Sequence, residues 1–227
     1  MNTLLKVAAR PHAFDLDVKQ AALVVIDVQN DFCHPEGFCG ADLGWDVTPL
    51  RTIIEPLQGM VEWARGQGIP VFWSKEAHKE DLSDVSPSKA VRYANAGSPV
   101  GAMGQRGRYL VDGEFGSQVI EELSPRSDEH QFAKPAQSIF PDTDFESRLE
   151  EQGITHLLIA GVTTECCVLA TYRQASDLGY FALLLEDCCA AFEPRDHQAA
   201  IDVLTAEDGV LGWVATSTQV INASSEK

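Results

Sequence analysis

The stretch THLLIAGVTTECCVLATYRQASDLGYFALLLEDCC, residues 155–189, decides the fold. It begins with an apolar run of strand length, continues through a helical pattern that stops at Gly179, and ends in a second apolar run. Strands that are buried on both faces read as near-continuous apolar runs, and two such strands joined by one helix form a parallel βαβ unit. The stretch therefore predicts a parallel sheet.

The same alternation of strand and helix extends in both directions along the chain. Further strand candidates, the last two of them weaker, lie at residues 22–27, 69–75, 129–134 and 212–221. Helical patterns separate them, and no linker rich in Pro, Gly and Ser divides the sequence. We predict a single α/β domain over residues 1–227, with a Rossmann-like sheet of about six parallel strands, helices on both faces and an N-terminal extension at residues 1–20.

One long connection, residues 76–128, interrupts this rhythm. It contains a single short helical pattern, near SQVIEEL at 117–123. Long connections in compact domains usually serve a function. We expect this segment to lie near the site or at a subunit interface.

The charge balance narrows the classes of partner. Among 227 residues, 17 Lys and Arg stand against 34 Asp and Glu, which gives a net charge of −17. A surface this acidic repels nucleic acid and anionic lipid. The sequence also shows no apolar run of membrane-spanning length and no signal-peptide core at its start. We therefore expect a cytoplasmic protein with a small-molecule substrate, no nucleic-acid partner and no membrane association.

The six cysteines are expected to be free thiols. Four of them form two adjacent pairs, Cys166-Cys167 and Cys188-Cys189, and no C-x-x-C motif is present. This pattern suits neither a disulfide scaffold nor a zinc ribbon. Any chemistry must come from one thiol in a special environment.

Reactive side chains follow three of the strand candidates. Asp27 ends the first strand, Lys134 ends the weaker strand at 129–134, and Cys166 and Cys167 follow the strand at 155–162. Ligands of open parallel sheets bind at the carboxyl ends of the strands. Each residue also has an ordinary interpretation, as a cap, a solvated lysine or a small buried side chain, but the coincidence of all three favours a catalytic site.

At these positions the sequence resembles the isochorismatase-like cysteine hydrolases. The resemblance rests on VVIDVQNDF (24–32), AKP (133–135) and GVTTECCV (161–168). It implies that Asp27 is the general base and acid, Lys134 its charge partner and Cys167 the nucleophile. The choice of Cys167 over Cys166 rests on the family pattern alone.

The resemblance implies further features of the active site and the assembly. The peptide before Thr163 is expected to be cis, and the backbone N–H groups of Thr163 and Cys167 are expected to form the oxyanion hole. Relatives of this kind imply a homodimer or homotetramer.

No metal and no cofactor are expected. Nicotinamidases carry an Asp-x-His metal motif and a second histidine, whereas this chain has Glu76 and His78 with no further histidine before His130. A zinc site cannot be assembled from these residues.

The segments EAHKEDLSDVSPSK and LLLEDCCAA resemble the branch of biuret and triuret hydrolases. Biuret hydrolases have a glutamine where this chain has Glu207, and a carboxylate suits a cationic ligand rich in N–H donors. The resemblance therefore leads to the hypothesis that guanylurea is the preferred substrate and that Glu207 binds its guanidinium end. Gln29, Phe32 and Phe38 are predicted to line the same pocket.

Three alternatives remain open. In place of a guanylurea hydrolase, the chain would be a ureidoacrylate-type amidase, a nicotinamide-type amidase, or a non-catalytic family member that acts as a binding protein.

Overall fold

The computed structural model describes residues 4–224, so the two ends of the chain, residues 1–3 and 225–227, lie outside the described residues. The strands in chain order are β1 Leu4–Val7, β2 Phe14–Asp17, β3 Ala21–Ile26, β4 Val71–Glu76, β5 Met103–Gly104, β6 Gly107–Arg108, β7 His130–Lys134, β8 His156–Val162, β9 Phe181–Ala190 and β10 Trp213–Ala215. The helices are α1 Asn30–Cys33, α2 Thr48–Arg51, α3 Ile54–Gln67, α4 Pro87–Asn95, α5 Phe145–Glu151, α6 Leu169–Asp177, α7 Pro194–Thr205 and α8 Ser217–Ile221.

Six strands form one parallel sheet in the order β10-β9-β8-β3-β4-β7. This confirms the predicted α/β fold with a six-stranded parallel sheet. Most of the predicted N-terminal extension is an antiparallel hairpin of β1 and β2.

The last predicted strand, at 212–221, is wrong in its second half. β10 ends at Ala215, and α8 begins two residues later. Thr216 caps this helix: its side chain accepts a hydrogen bond from the backbone N–H of Gln219, and the Gln219 side chain accepts one from the N–H of Thr216. Such a capping box satisfies N–H groups at a helix start and outweighs the apolar pattern of so short a segment.

Two hydrophobic cores lie on the two faces of the sheet. In β3, Leu23 and Val25 face one core, and Val24 and Ile26 face the other. The first core is closed mainly by α3 and α8, and the second by α5, α6 and α7. Successive side chains of a strand point to opposite faces, so a strand covered on both sides must be apolar throughout.

The long connection is more ordered than its sequence suggests. Residues 76–128 contain α4, the small hairpin of β5 and β6, and two single helical turns at Phe115–Ser117 and Glu121–Leu123. α4 lies outside the predicted helices. It begins with Ser86, whose side chain accepts a hydrogen bond from the N–H of Lys89, and with Pro87 in its first turn. Among residues 4–224, no helix is both long and apolar enough to cross a membrane.

Candidate active site

Four neighbouring strands end at one place in the sheet. β8, β3, β4 and β7 are adjacent in this order, and all run parallel. Asp27 follows β3, Glu76 ends β4, Lys134 ends β7, and Cys167 lies in the turn after β8. The sheet therefore brings two carboxylates, an ammonium group and a thiol to the same edge.

Asp27 and Lys134 form a fully buried ion pair. Lys134 Nζ lies 2.7 Å from Asp27 Oδ2, and both side chains are 0% exposed. Lys134 Nζ also donates a hydrogen bond of 2.8 Å to the carbonyl of Ala136. The hydroxyl of Ser74 donates a hydrogen bond of 2.7 Å to Asp27 Oδ1. The carboxylate is thus fixed on both oxygens.

The backbone around Asp27 is specialised. Asp27 has a φ of 52°, a left-handed conformation that aspartate tolerates better than most residues, and its N–H donates to the carbonyl of Ser74. On the neighbouring strand, Gly161 passes so close to Ile26 that an added Cβ would lie 2.0 Å from the Ile26 carbonyl oxygen. Only glycine allows β8 to approach the end of β3 this closely.

Burial and charge act against each other on this pair. Desolvation raises the pKa of Asp27 above its ordinary value, and the ammonium group of Lys134 opposes part of that rise. Burial alone would lower the pKa of Lys134, but Asp27, Cys167 and Glu76 together outweigh burial and raise it. A carboxyl group with a raised pKa next to a permanently charged lysine is suited to accept and return a proton.

Cys167 is the buried member of the cysteine pair. Its residue is 4% exposed, whereas Cys166 is half-buried, and both lie in the helical turn Thr164–Val168. The neighbouring Cys166 thiol and burial raise the pKa of Cys167, and Lys134 opposes this rise. The thiol therefore needs a base to become a nucleophile. The cis peptide expected before Thr163 is present.

Glu76 is the residue that the sequence interpretation missed. It is buried, and its Oε2 accepts a hydrogen bond of 3.4 Å from the thiol of Cys167. Its Oε1 accepts a hydrogen bond from the hydroxyl of Tyr93 and lies 2.6 Å from Lys89 Nζ. Burial raises the pKa of Glu76, but Lys134 and Lys89 outweigh burial and lower it, so the group is ionised.

Lys89 and Tyr93 both come from α4 in the long connection. Lys89 is 2% exposed, and its Nζ also donates to the carbonyl of Pro135, at 2.6 Å. This part of the long connection therefore contacts Glu76 at the candidate site. The signal in the sequence is the pair Lys89 and Tyr93, four residues apart and so on one face of a helix.

The cluster does not suit a divalent metal. Donor atoms of Asp27, Glu76 and Cys167 lie within 4.8 Å of one another, which is close enough for a shared ion. However, Lys134 already neutralises one carboxylate and Lys89 the other. A dication in the same space would be repelled by both ammonium groups.

The Gln29 side chain is hydrogen-bonded to the backbone of Glu76. Its side-chain oxygen accepts a hydrogen bond from the N–H of Glu76, and its Nε2 donates to the Glu76 carbonyl at 3.1 Å. Both ends of the amide are therefore engaged with backbone, so Gln29 positions Glu76. Its place in the lining of the substrate pocket stays a prediction.

Phe32 and Phe38 lie together in a small aromatic cluster. Both lie against Tyr109. The ring of Phe38 is stacked on it with 4.3 Å between ring centroids, and the ring of Phe32 meets it edge-on with 6.4 Å between centroids. Through these contacts with Tyr109, the two side chains pack the loop after β3 against the long connection. Their predicted contact with substrate stays a prediction.

The structure does not bring Glu207 to the cluster. His197, near the start of α7, shares a hydrogen bond of 2.8 Å with Thr164, three residues before Cys167, but α7 then runs eight more residues to Thr205. At 1.5 Å per residue, this carries the chain about 12 Å away. Glu207 lies exposed in the following turn, next to Asp208, which pairs with His12 on the surface.

A cavity of about 430 Å³ lies beside the ends of β4 and β7. Its lining includes Ala77, directly after Glu76, and Pro135, directly after Lys134. Three further lining residues are acidic, namely Asp84, Asp112 and Asp142. The cavity is large enough for a small molecule, and its lining is of mixed charge, because Lys79 also lines it and Asp112 pairs with Lys75.

The chain is similar to proteins of known structure and family. A family model described as the isochorismatase domain matches residues 21–219. Among solved structures, a cysteine hydrolase from Pseudomonas syringae pv. phaseolicola 1448A is similar with a TM-score of 0.76 and 22% identity, over 91% of this chain and 92% of the other. An isochorismatase-like hydrolase from Alkaliphilus metalliredigens is similar with a TM-score of 0.68 and 28% identity, over 89% and 97%. A nicotinamidase from Bacillus subtilis is similar with a TM-score of 0.67 and 25% identity, over 86% and 99%.

Proposed function

Because the chain belongs to the isochorismatase family of hydrolases, we propose that it is a cysteine-dependent amidohydrolase that cleaves a C–N bond of a small ureido compound and releases ammonia. The observation that carries the proposal is the buried cluster of Asp27, Lys134 and Cys167, with the ion pair at 2.7 Å next to a buried thiol. A nucleophile, a base and a charge that orients the base are the parts that covalent acyl transfer requires.

The proposed reaction has two stages. Asp27 takes the thiol proton of Cys167, and sulfur attacks the carbonyl carbon to form a C–S bond. Asp27 then gives this proton to the departing nitrogen as the C–N bond breaks, and ammonia leaves. In the second stage water gives a proton to Asp27 and attacks the carbonyl carbon of the S-carbamoyl intermediate, and the C–S bond breaks with return of the proton to sulfur.

Lys134 remains charged throughout the proposed cycle. Its ammonium group stabilises whichever neighbour is negative, the Asp27 carboxylate before proton transfer and the thiolate after it. The negative oxygen that develops on the substrate needs its own donors. We assign these to the backbone N–H groups of Thr163 and Cys167, and such donors contribute about 3 kcal/mol each.

The preferred substrate in this proposal is guanylurea, with biuret and triuret as close relatives. Three carboxylates line the cavity beside the site. Asp112 is paired with Lys75, and Asp84 and Asp142 still outnumber Lys79, which supports a cationic substrate. The second candidate is a nicotinamidase-type reaction on a carboxamide, which is favoured by the similarity to the nicotinamidase from Bacillus subtilis.

Ammonia release from a panel of ureides and carboxamides tests the proposal. Guanylurea, biuret, triuret and nicotinamide are offered to the wild-type protein and to the variants Cys167→Ala and Cys166→Ala. We expect Cys167→Ala to lower ureide turnover by more than about a thousandfold, since it removes the nucleophile. Cys166→Ala is the matched control and retains most turnover. Equal losses in the two variants contradict the proposal, and so does a wild-type protein that releases no ammonia from any ureide.

A further inference from the structure

Glu76 lies within hydrogen-bond reach of the nucleophile but has no part in the proton transfers described above. Its two oxygens differ in their partners. Oε1 is held by Tyr93 and Lys89, whereas the donor that the described residues offer to Oε2 is the Cys167 thiol. Oε2 therefore depends on a proton that the nucleophile must give up.

Loss of that proton creates a specific requirement in the site. Once the thiol is deprotonated, a carboxylate oxygen and sulfur face each other in a buried space with no hydrogen between them. A buried carboxylate oxygen without a donor is costly, and the adjacent negative sulfur adds repulsion. A substrate that places an N–H group at Oε2 removes both penalties as sulfur attacks.

The carbonyl carbon of a ureide has three substituents, and the site offers a partner for each. The oxygen faces the proposed backbone donors, and the leaving nitrogen is protonated by Asp27. The third substituent is a nitrogen that stays on the carbon, and it carries an N–H in ureides but is replaced by carbon in carboxamides. Asp27 and Glu76 both have an oxygen within 4.8 Å of the Cys167 sulfur, so each can serve one nitrogen.

We propose that Glu76 Oε2 accepts a hydrogen bond from the N–H that the substrate retains, and that this contact makes the enzyme selective for ureides over carboxamides. The inference rests on the proposed function and names its substrate class. Lys89 and Tyr93 are positioning residues, since they fix Oε1 and so aim Oε2 at the reacting carbon. Gln29 fixes the backbone of Glu76 from the opposite side.

The test uses two substrates that differ by one group. Biuret carries N–H between its two carbonyl groups, and malonamide carries CH₂ at the same place. A site built around a hydrogen bond discriminates strongly against an analogue that lacks the donor. We expect the wild-type kcat/KM for biuret to exceed that for malonamide by at least about a hundredfold.

Variants assign this ratio to Glu76. Glu76→Gln, made together with Lys89→Met so that no buried ammonium is left unpaired, is expected to lower kcat/KM for biuret by about 10- to 100-fold and that for malonamide by less than about threefold. Tyr93→Phe leaves both charges in place and is expected to shift the ratio in the same direction by a smaller factor. Glu150→Gln, an exposed carboxylate on α5, is the matched control and leaves the ratio unchanged.

The outcomes separate the inference from the proposed function. If the wild-type protein hydrolyses both substrates with kcat/KM values within threefold of each other, the selectivity claim is overturned whether or not the variants fold. If the wild type prefers biuret but kcat/KM for both substrates falls equally in the double variant, Glu76 has only a structural role and the proposed function stands. If Cys167 reacts with iodoacetamide but no ureide is hydrolysed, the proposed function itself fails.

Discussion

Replacing Lys134 with methionine tests the electrostatic core of the site. Lys134 Nζ and Asp27 Oδ2 are 2.7 Å apart and both side chains are fully buried. With an effective dielectric constant of about 20, two unit charges at this distance attract each other by about 6 kcal/mol. Burying the two charges costs several kcal/mol each, so the intact pair contributes little net stability. Removing one partner leaves the other charge buried and unpaired, which costs about 3–5 kcal/mol.

The loss should depend on pH, and its sign follows from Asp27. The folded-state pKa of Asp27 is already raised, and without Lys134 it rises further. A carboxyl group whose folded pKa exceeds its unfolded value binds more protons when folded, so stability falls as pH rises between these two values. The deficit of Lys134→Met relative to wild type is therefore largest above the folded pKa of Asp27 and shrinks as pH is lowered towards about 4. The hydrogen bond lost at the Ala136 carbonyl adds a smaller part that does not depend on pH.

Urea unfolding between pH 5 and pH 8, followed by the tryptophan fluorescence, to which the buried Trp73 contributes, measures this dependence. The double variant Asp27→Asn/Lys134→Met has no charge on either side and should recover most of the loss. A deficit below about 1 kcal/mol at pH 8 would refute the reasoning, as would a deficit that is constant across the pH range or a double variant no more stable than the single one. Turnover is expected to be lost in both variants, so stability and activity are separated.

Three further predictions concern single side chains. Ser74→Ala removes the hydrogen bond that lowers the pKa of Asp27, so the acid limb of the kcat/KM profile should move to higher pH, and an unmoved limb would contradict Asp27 as the base. Glu129→Gln weakens the two charge-assisted hydrogen bonds from Arg65, at 2.7 and 2.9 Å, and should lower the free energy of unfolding in urea by about 2 kcal/mol without changing kcat. Because Arg65 and the other hydrogen-bond donors hold the pKa of Glu129 below its ordinary value, this loss of stability should fade as pH drops through that lowered pKa. Glu207→Gln should leave the ratio of guanylurea to biuret turnover unchanged because the side chain is exposed, and a selective loss for guanylurea would restore the sequence-based hypothesis.

Residue patterns were enough to predict the sheet and the positions of Asp27 and Lys134 at its edge. The apolar runs predicted strands that are covered on both faces, because in such strands the side chains on both sides are buried and must be apolar. Asp27 and Lys134 stood out because charged residues ending such runs lie where a parallel sheet binds ligands. Between the two cysteines, residue types alone left the choice open, and the family resemblance selected Cys167, which the structure shows to be the buried one.

The order of the strands in the sheet and the contacts of the long connection became known only from the three-dimensional structure. Strand order depends on long-range packing that no local pattern records, so from the sequence Glu76 was compared only with a metal-binding motif. The partners of Glu76 are 13 and 17 residues further on, at Lys89 and Tyr93, in a helix whose sequence looked like a loop. The carboxylate that the sequence suggested, Glu207, is exposed, whereas the carboxylate next to Cys167 is Glu76. A sequence motif gives the residue type at a position, but the burial and contacts of that residue arise only when distant segments pack together.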